Sequence, residues 1–247
     1  MFRIVRSFTA ALGVISALWA VSSFQVYSRE DLLGRSARAV LNGENFNAKQ
    51  LARLADRLTT VTSADQNRPL TFRDIAVVRL RLLEQGRAFE YGLPIASDLP
   101  KFDDALVAAL NAAPSDSFLW LMGHQIENGV SQPKGEFRRL LMSYVTGPNE
   151  AWIGVRRCPI ALALFPSLPD ELKVRVVQEF VGLVRSGLFA DAIKLLAALG
   201  LPLRSKLTAE LVHLDEPTRN SFARAVEEQG LEGVTVPSVP SRRNRPF

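Results

Sequence analysis

An all-α fold is what this sequence predicts, and three observations carry the prediction. Leu and Ala dominate the 247 residues, and alternating runs of Val, Ile and Thr are scarce. Apolar residues return at steps of three and four, as one face of a helix requires. Gly and Pro fall between these periodic stretches, where helices stop and start. Hydrophobic residues make up 47% of the chain, enough to fill a core, which excludes broad disorder.

The chain opens MFRIVRSFTAALGVISALWAVSSFQVYSRED. Arg3 and Arg6 precede an uncharged stretch that runs to Ser28, and Arg29, Glu30 and Asp31 close it. About twenty uncharged helical residues can cross a bilayer core. Residues 8–27 are therefore expected to form a transmembrane signal anchor, with 1–28 as cytoplasmic stub plus anchor. Trp19 and Tyr27 lie toward the exit side, and Tyr27 suits the interface. A cleaved signal peptide is the main alternative, but no clean Ala-x-Ala site ends the apolar run, and a buried core helix is the third reading. The positive-inside rule keeps Arg3 and Arg6 in the cytoplasm and puts the body outside it. The expected location is a bacterial inner membrane, crossed once, with the body in the periplasm.

The body, residues 29–230, reads as helix after helix. Ser28 can cap a helix through Leu41, stopped at Asn42-Gly43. Asn47 caps the next, whose Leu51, Leu54, Ala55, Leu58 and Val61 form one apolar stripe. Thr71 is the expected cap of a third, with Asp74 at the capping-box position, and Gly92 with Pro94 ends it. Helices are expected over 101–112, 117–128, 134–146 and 149–165, the last kinked or broken at Pro159. Pro169 and two acids open another. Residues 189–199, 204–213 and 217–229 complete the set.

Residues 231–247 are rich in Pro, Ser and Arg and are expected to be a disordered tail. Residues 233–247 hold Arg242, Arg243 and Arg245 and no acid, so three of the five net positive charges sit in them and the rest of the chain is nearly balanced. The basic balance is thus no argument for nucleic acid, and none is expected as a partner.

Within the body one segment echoes another. NAAPSDSFLWL at 111–121 and YVTGPNEAWIG at 144–154 share a Pro, polar residues and an aromatic in register. Pro114 and Pro148 stand 34 positions apart, and the same shift pairs Leu106 with Leu140, Leu110 with Tyr144, Ala113 with Gly147, Asp116 with Glu150 and Phe118 with Trp152. Thirty-four residues is the period of the tetratricopeptide helix pair. Over 101–165 the chain resembles a degenerate tetratricopeptide-like repeat protein: Trp120 fits the first aromatic and Pro148 the terminal proline. Gly123, His124 and Glu127 depart from the family pattern. The resemblance implies a right-handed α-α helical-repeat body that binds peptides or proteins. More loosely, SFLWL and the stretch from Phe137 to Pro169 resemble small, singly anchored alphaproteobacterial proteins associated with surface-polysaccharide gene sets.

No residue pattern points to catalysis. The two histidines, His124 and His213, lack metal-ligand spacing, and the single Cys158 rules out an internal disulfide and reads as a small buried apolar residue. No G-x-S-x-G, phosphate loop or dinucleotide fingerprint occurs. The expectation is no catalytic residue, no cofactor, no metal and no enzyme. Arg138, Arg139, Arg156 and Arg157, with Trp120 and Trp152, are candidates for a binding groove. Ion pairs with Glu136, Glu150 or Glu179, or a solvated face, account for the arginines more simply. The functional expectation is a membrane-anchored scaffold or adaptor that binds a membrane-embedded protein partner. The setting would be envelope or extracellular polysaccharide assembly or export. A direct binder of acidic glycan, or less readily a glycan-acting enzyme, is the alternative.

Overall fold

The computed structural model describes residues 12–21, 33–59, 69–88, 95–130, 137–237 and 239. Every regular element among them is helical. The chain divides into two compact units between Pro114 and Ser115.

The first unit holds helical segments 12–21 and 33–41, then α1 (Ala48–Thr59), α2 (Pro69–Ala88) and α3 (Ile95–Ala112). Asn47 caps α1 as expected. Its Oδ1 accepts the Gln50 N–H at 3.0 Å, and its own N–H donates to Gln50 Oε1 at 2.8 Å. Each side chain satisfies a helix-end donor of the other residue. The next helix starts two residues before the expected cap. Pro69 opens α2, where its missing N–H costs nothing, and Thr71 is buried inside the helix. Gly92 and Pro94 lie outside the described residues. α3 runs through Pro100 rather than starting after it. It packs along α2, burying Phe102, Leu106 and Ala109 beside Ala76, Val77 and Leu83.

Of the anchor expected at 8–27, residues 12–21 are described. They form a helix whose Leu12, Val14, Ile15, Leu18, Trp19 and Val21 are all exposed. No helix among the described residues is long and apolar enough to cross a membrane.

The second unit comprises α4 (Ser117–Val130), α5 (Arg138–Thr146), α6 (Ala151–Ala163), α7 (Asp170–Arg185), α8 (Phe189–Ala198), α9 (Leu201–Ala209) and α10 (Glu216–Glu228). Short 3-10 turns at Phe165–Ser167 and Glu210–His213 follow α6 and α9. α4 packs on α5 and α6 on α7, and α4 also touches α6. α7 is the central element, in contact with α6, α8, α9 and α10. Its Leu172, Val176, Val177, Phe180, Val181, Leu183 and Val184 are buried. Asp170 and Glu171 in its first turn and Arg185 in its last complement the helix dipole. The Gly187 N–H bonds Val184 O, the Leu188 N–H bonds Leu183 O, and Gly187 takes φ 76°. That left-handed turn closes α7.

Two expectations change here. α6 is unbroken through Pro159. Pro159 sits on the exposed side, where water can serve the Val155 carbonyl that loses its helical donor. Within the stretch expected as a tail, Val236 is buried, and the Glu232 carbonyl accepts a bond from Arg204 Nη1 at 3.1 Å. Residues 240–247 lie outside the described residues.

Candidate functional site

Arg157 sits four residues after Ile153 and four before Ala161, on the stripe of α6 that faces inward. Its side chain is 0% exposed. Nε donates to Glu179 Oε1 at 3.0 Å, and Nη2 donates to that carboxylate and, at 2.9 Å, to the Gly147 carbonyl. Nη1 donates to Ser143 Oγ at 3.1 Å and to the Ser143 carbonyl. The other Glu179 oxygen accepts the Tyr144 hydroxyl at 2.8 Å, and the guanidinium lies 3.9 Å from the Tyr144 ring centroid. A buried charge is tolerable only when its donors are matched in this way. Burial raises the Glu179 carboxyl above its ordinary range against the opposing pull of Arg157 and Tyr144. Burial, then the neighbouring Glu179, raises the Tyr144 hydroxyl and the Cys158 thiol. A buried thiol so shifted is a poor nucleophile.

Beside this network the chain approaches itself closely. A Cβ on Gly147 would lie 2.3 Å from Ser117 Oγ, so no larger residue fits there unless the neighbour moves. Ser117 Oγ donates to Glu150 Oε1 at 3.3 Å. The two acids paired by the 34-residue shift thus do different work. Asp116 accepts the Phe118 and Leu119 N–H groups at the start of α4, whereas Glu150 makes no side-chain cap for α6 and reaches back to Ser117.

The six residues expected to line a groove are dispersed. Arg157 is wholly occupied inside the unit. Arg139 pairs with Glu127 at 3.0 Å, and Arg138 is exposed. Trp120 is half-buried in α4. Trp152 and Arg156 do come together: Trp152 is 45% exposed, and the Arg156 guanidinium lies 5.9 Å from its ring centroid and 5.6 Å from that of Phe118.

A different feature of this unit has the form of a ligand site. A cleft of about 730 Å³ opens between the start of α6, one face of α7 and the 3-10 turn that follows α9. Arg175, Gln178, Gly182 and Arg185 line it from α7. They follow one another at helical steps and form one stripe. A Cβ on Gly182 would meet nothing within 4 Å, so this glycine leaves the floor open. Asn149 and Glu150 line the α6 side, and Glu210 and His213 the far side. The cleft also reaches Tyr144 and Glu179, so the buried network forms part of its wall. The volume is within the range of small-ligand and peptide sites. Among the described residues, no three His, Cys, Asp or Glu side chains gather as a metal site would need.

The sequence pointed to Arg pairs and overlooked this stripe. The signal was present as Arg175, Gln178, Gly182 and Arg185, a polar and small-residue row on a helix otherwise rich in Val and Leu. Comparison of the chain with protein-family models, with curated proteins and with solved structures gives no match.

Proposed function

We propose that the protein is a non-enzymatic adaptor held at a bacterial inner membrane, whose helical body docks a protein partner on the periplasmic side. The observation that carries the docking role is the α6–α7 cleft, with an open glycine floor and polar walls. Such a site suits an extended segment of another chain. The anchor is residues 8–27, and the uncharged, exposed helix 12–21, apolar apart from Ser16, supports it. Confinement to the membrane plane raises the body's effective concentration near a membrane-embedded partner. The loose resemblance to polysaccharide-associated proteins suggests envelope or extracellular polysaccharide assembly or export as the setting.

The test is retention of partners. The C-terminally tagged chain is extracted from membranes in mild detergent, and co-purifying proteins are identified by mass spectrometry. A version truncated before residue 28 and a Gly182→Leu variant serve as controls. The proposal expects a stoichiometric membrane protein that both changes deplete. Retention unaffected by Gly182→Leu removes the cleft from the reading, and no specific partner at all removes the adaptor.

The exposed Trp152 with Arg156 beside it favours a second reading, direct binding of acidic glycan. That reading expects affinity that falls with salt and weakens in the Arg138→Ala, Arg156→Ala double variant. Unchanged affinity ends it.

A further inference from the structure

The charges that line the cleft are not evenly matched. Glu179 is taken by Arg157, and Arg175 pairs with Glu171 at 3.0 Å. Glu210 lies 3.6 Å from His213 Nε2, an imidazole that balances it only when protonated. Two further groups of the lining form no ion pair among the described residues. Arg185 makes no side-chain bond among the described residues, so it is a cation of the lining with no acid. Among the described residues Glu150 is held only by the Ser117 hydroxyl, so there it is an acid with no cation. Gln178 and Asn149 line the same cleft and offer side-chain amides that no described residue uses.

We propose that the cleft binds a dipolar peptide, with a carboxylate on Arg185 and an ammonium on Glu150. This inference rests on the docking role assigned to the cleft above and names the chemistry it selects. A guanidinium offers two parallel N–H donors to a carboxylate, which is the geometry of its strongest pairing. Glu150 offers its second carboxylate oxygen while the first keeps the serine. The Gln178 and Asn149 amides each supply a donor and an acceptor, which is what an extended main chain requires between its ends. Gly182 lets that main chain approach α7 because no side chain stands in its way. A purely acidic ligand would set its second charge against Glu150, and a purely basic one would face Arg185. The lining therefore selects for a ligand that carries both signs.

The experiment is calorimetric titration of the full chain, in mild detergent, with tetra-alanine in four forms: free at both ends, N-acetylated, C-amidated and doubly capped. The free form is expected to bind tightest, and either cap to weaken it about tenfold, as loss of a charge-assisted bond does. Arg185→Ala should bring the free and amidated forms to equal affinity while leaving the penalty for acetylation. Glu150→Gln, which keeps the acceptor for Ser117, should do the reverse. An Arg185→Ala variant that still prefers the free carboxylate overturns the proposal, as does a wild-type chain that binds none of the four forms at millimolar concentration. Partner retention in the Gly182→Leu variant separates the two levels. If that change abolishes retention while the four peptides bind alike, the docking role stands and the dipolar ligand falls. If retention is unmoved, the docking role falls.

Discussion

Phe118 and Trp152 are 34 positions apart in the chain and 5.4 Å apart between ring centroids, tilted by 41°. The residues that correspond in the sequence echo are therefore neighbours in space, where α4 meets α6. Phe118 is buried and Trp152 half-exposed, so the smaller ring fills the interior and the larger one shields it.

This pairing should appear as an energetic coupling. Phe118→Ala is expected to cost about 3–5 kcal/mol, the usual range for a buried ring. Trp152→Ala should cost less. The two losses should fail to add by about 1 kcal/mol, the size of an aromatic pair beyond its area. Chemical denaturation of both single variants and the double variant measures this coupling, and strict additivity would deny the contact.

Removing Arg157 should be severe. Arg157→Met leaves Glu179 buried with no cation and is expected to cost about 3–5 kcal/mol. Adding Glu179→Leu should return much of that loss, because a pair replaced by apolar groups no longer carries an unpaired charge. Denaturant midpoints of the single and double variants report it. A double variant no more stable than Arg157→Met would contradict the account.

Two glycines should respond in opposite directions to the same substitution. Gly147→Ala forces a Cβ against Ser117 and is expected to destabilise by about 1–3 kcal/mol, with partial rescue by Ser117→Gly. Gly182→Ala puts a methyl into open space within α7 and is expected to stabilise by about 0.5–1 kcal/mol through helix propensity. Thermal melts rank all of these variants in one series.

His124 gives the fold a pH dependence. Burial, then the charge of Arg139, lowers its pKa from 6.5 to about 4. The unfolded chain therefore gains a proton between those values while the folded chain does not. Stability is fully present above about pH 6.5 and falls as pH drops toward 4. Melting temperatures taken across that window should decline, and His124→Gln should flatten the decline. An equal slope in the variant would place the effect elsewhere.

Much of the helical order was legible in the sequence because stops and caps are local. Asn47 and Asp116 act within three residues of themselves. Thr71 misled because a favourable cap lost to a proline two residues earlier. Pro159 misled because the rule for proline says nothing of which side of the helix it will face. The fate of Arg157 was named only as one of several ion pairs. Choosing Glu179 required knowing that α6 lies on α7, a long-range fact that no local pattern carries. The cleft was missed for the same reason, since it is made by the spaces between helices.

Arg157 draws its acceptors from three stretches: Ser143 in α5, Gly147 in the loop before α6, and Glu179 in α7. An array of stacked repeats ordinarily frays from its ends, one layer at a time. Here, detaching any one of these stretches strands a charge in the interior, so opening one alone is penalised almost as heavily as opening all. Amide hydrogens across α5, α6 and α7 should accordingly exchange at a common rate set by a single concerted opening. The unit would behave as one foldon.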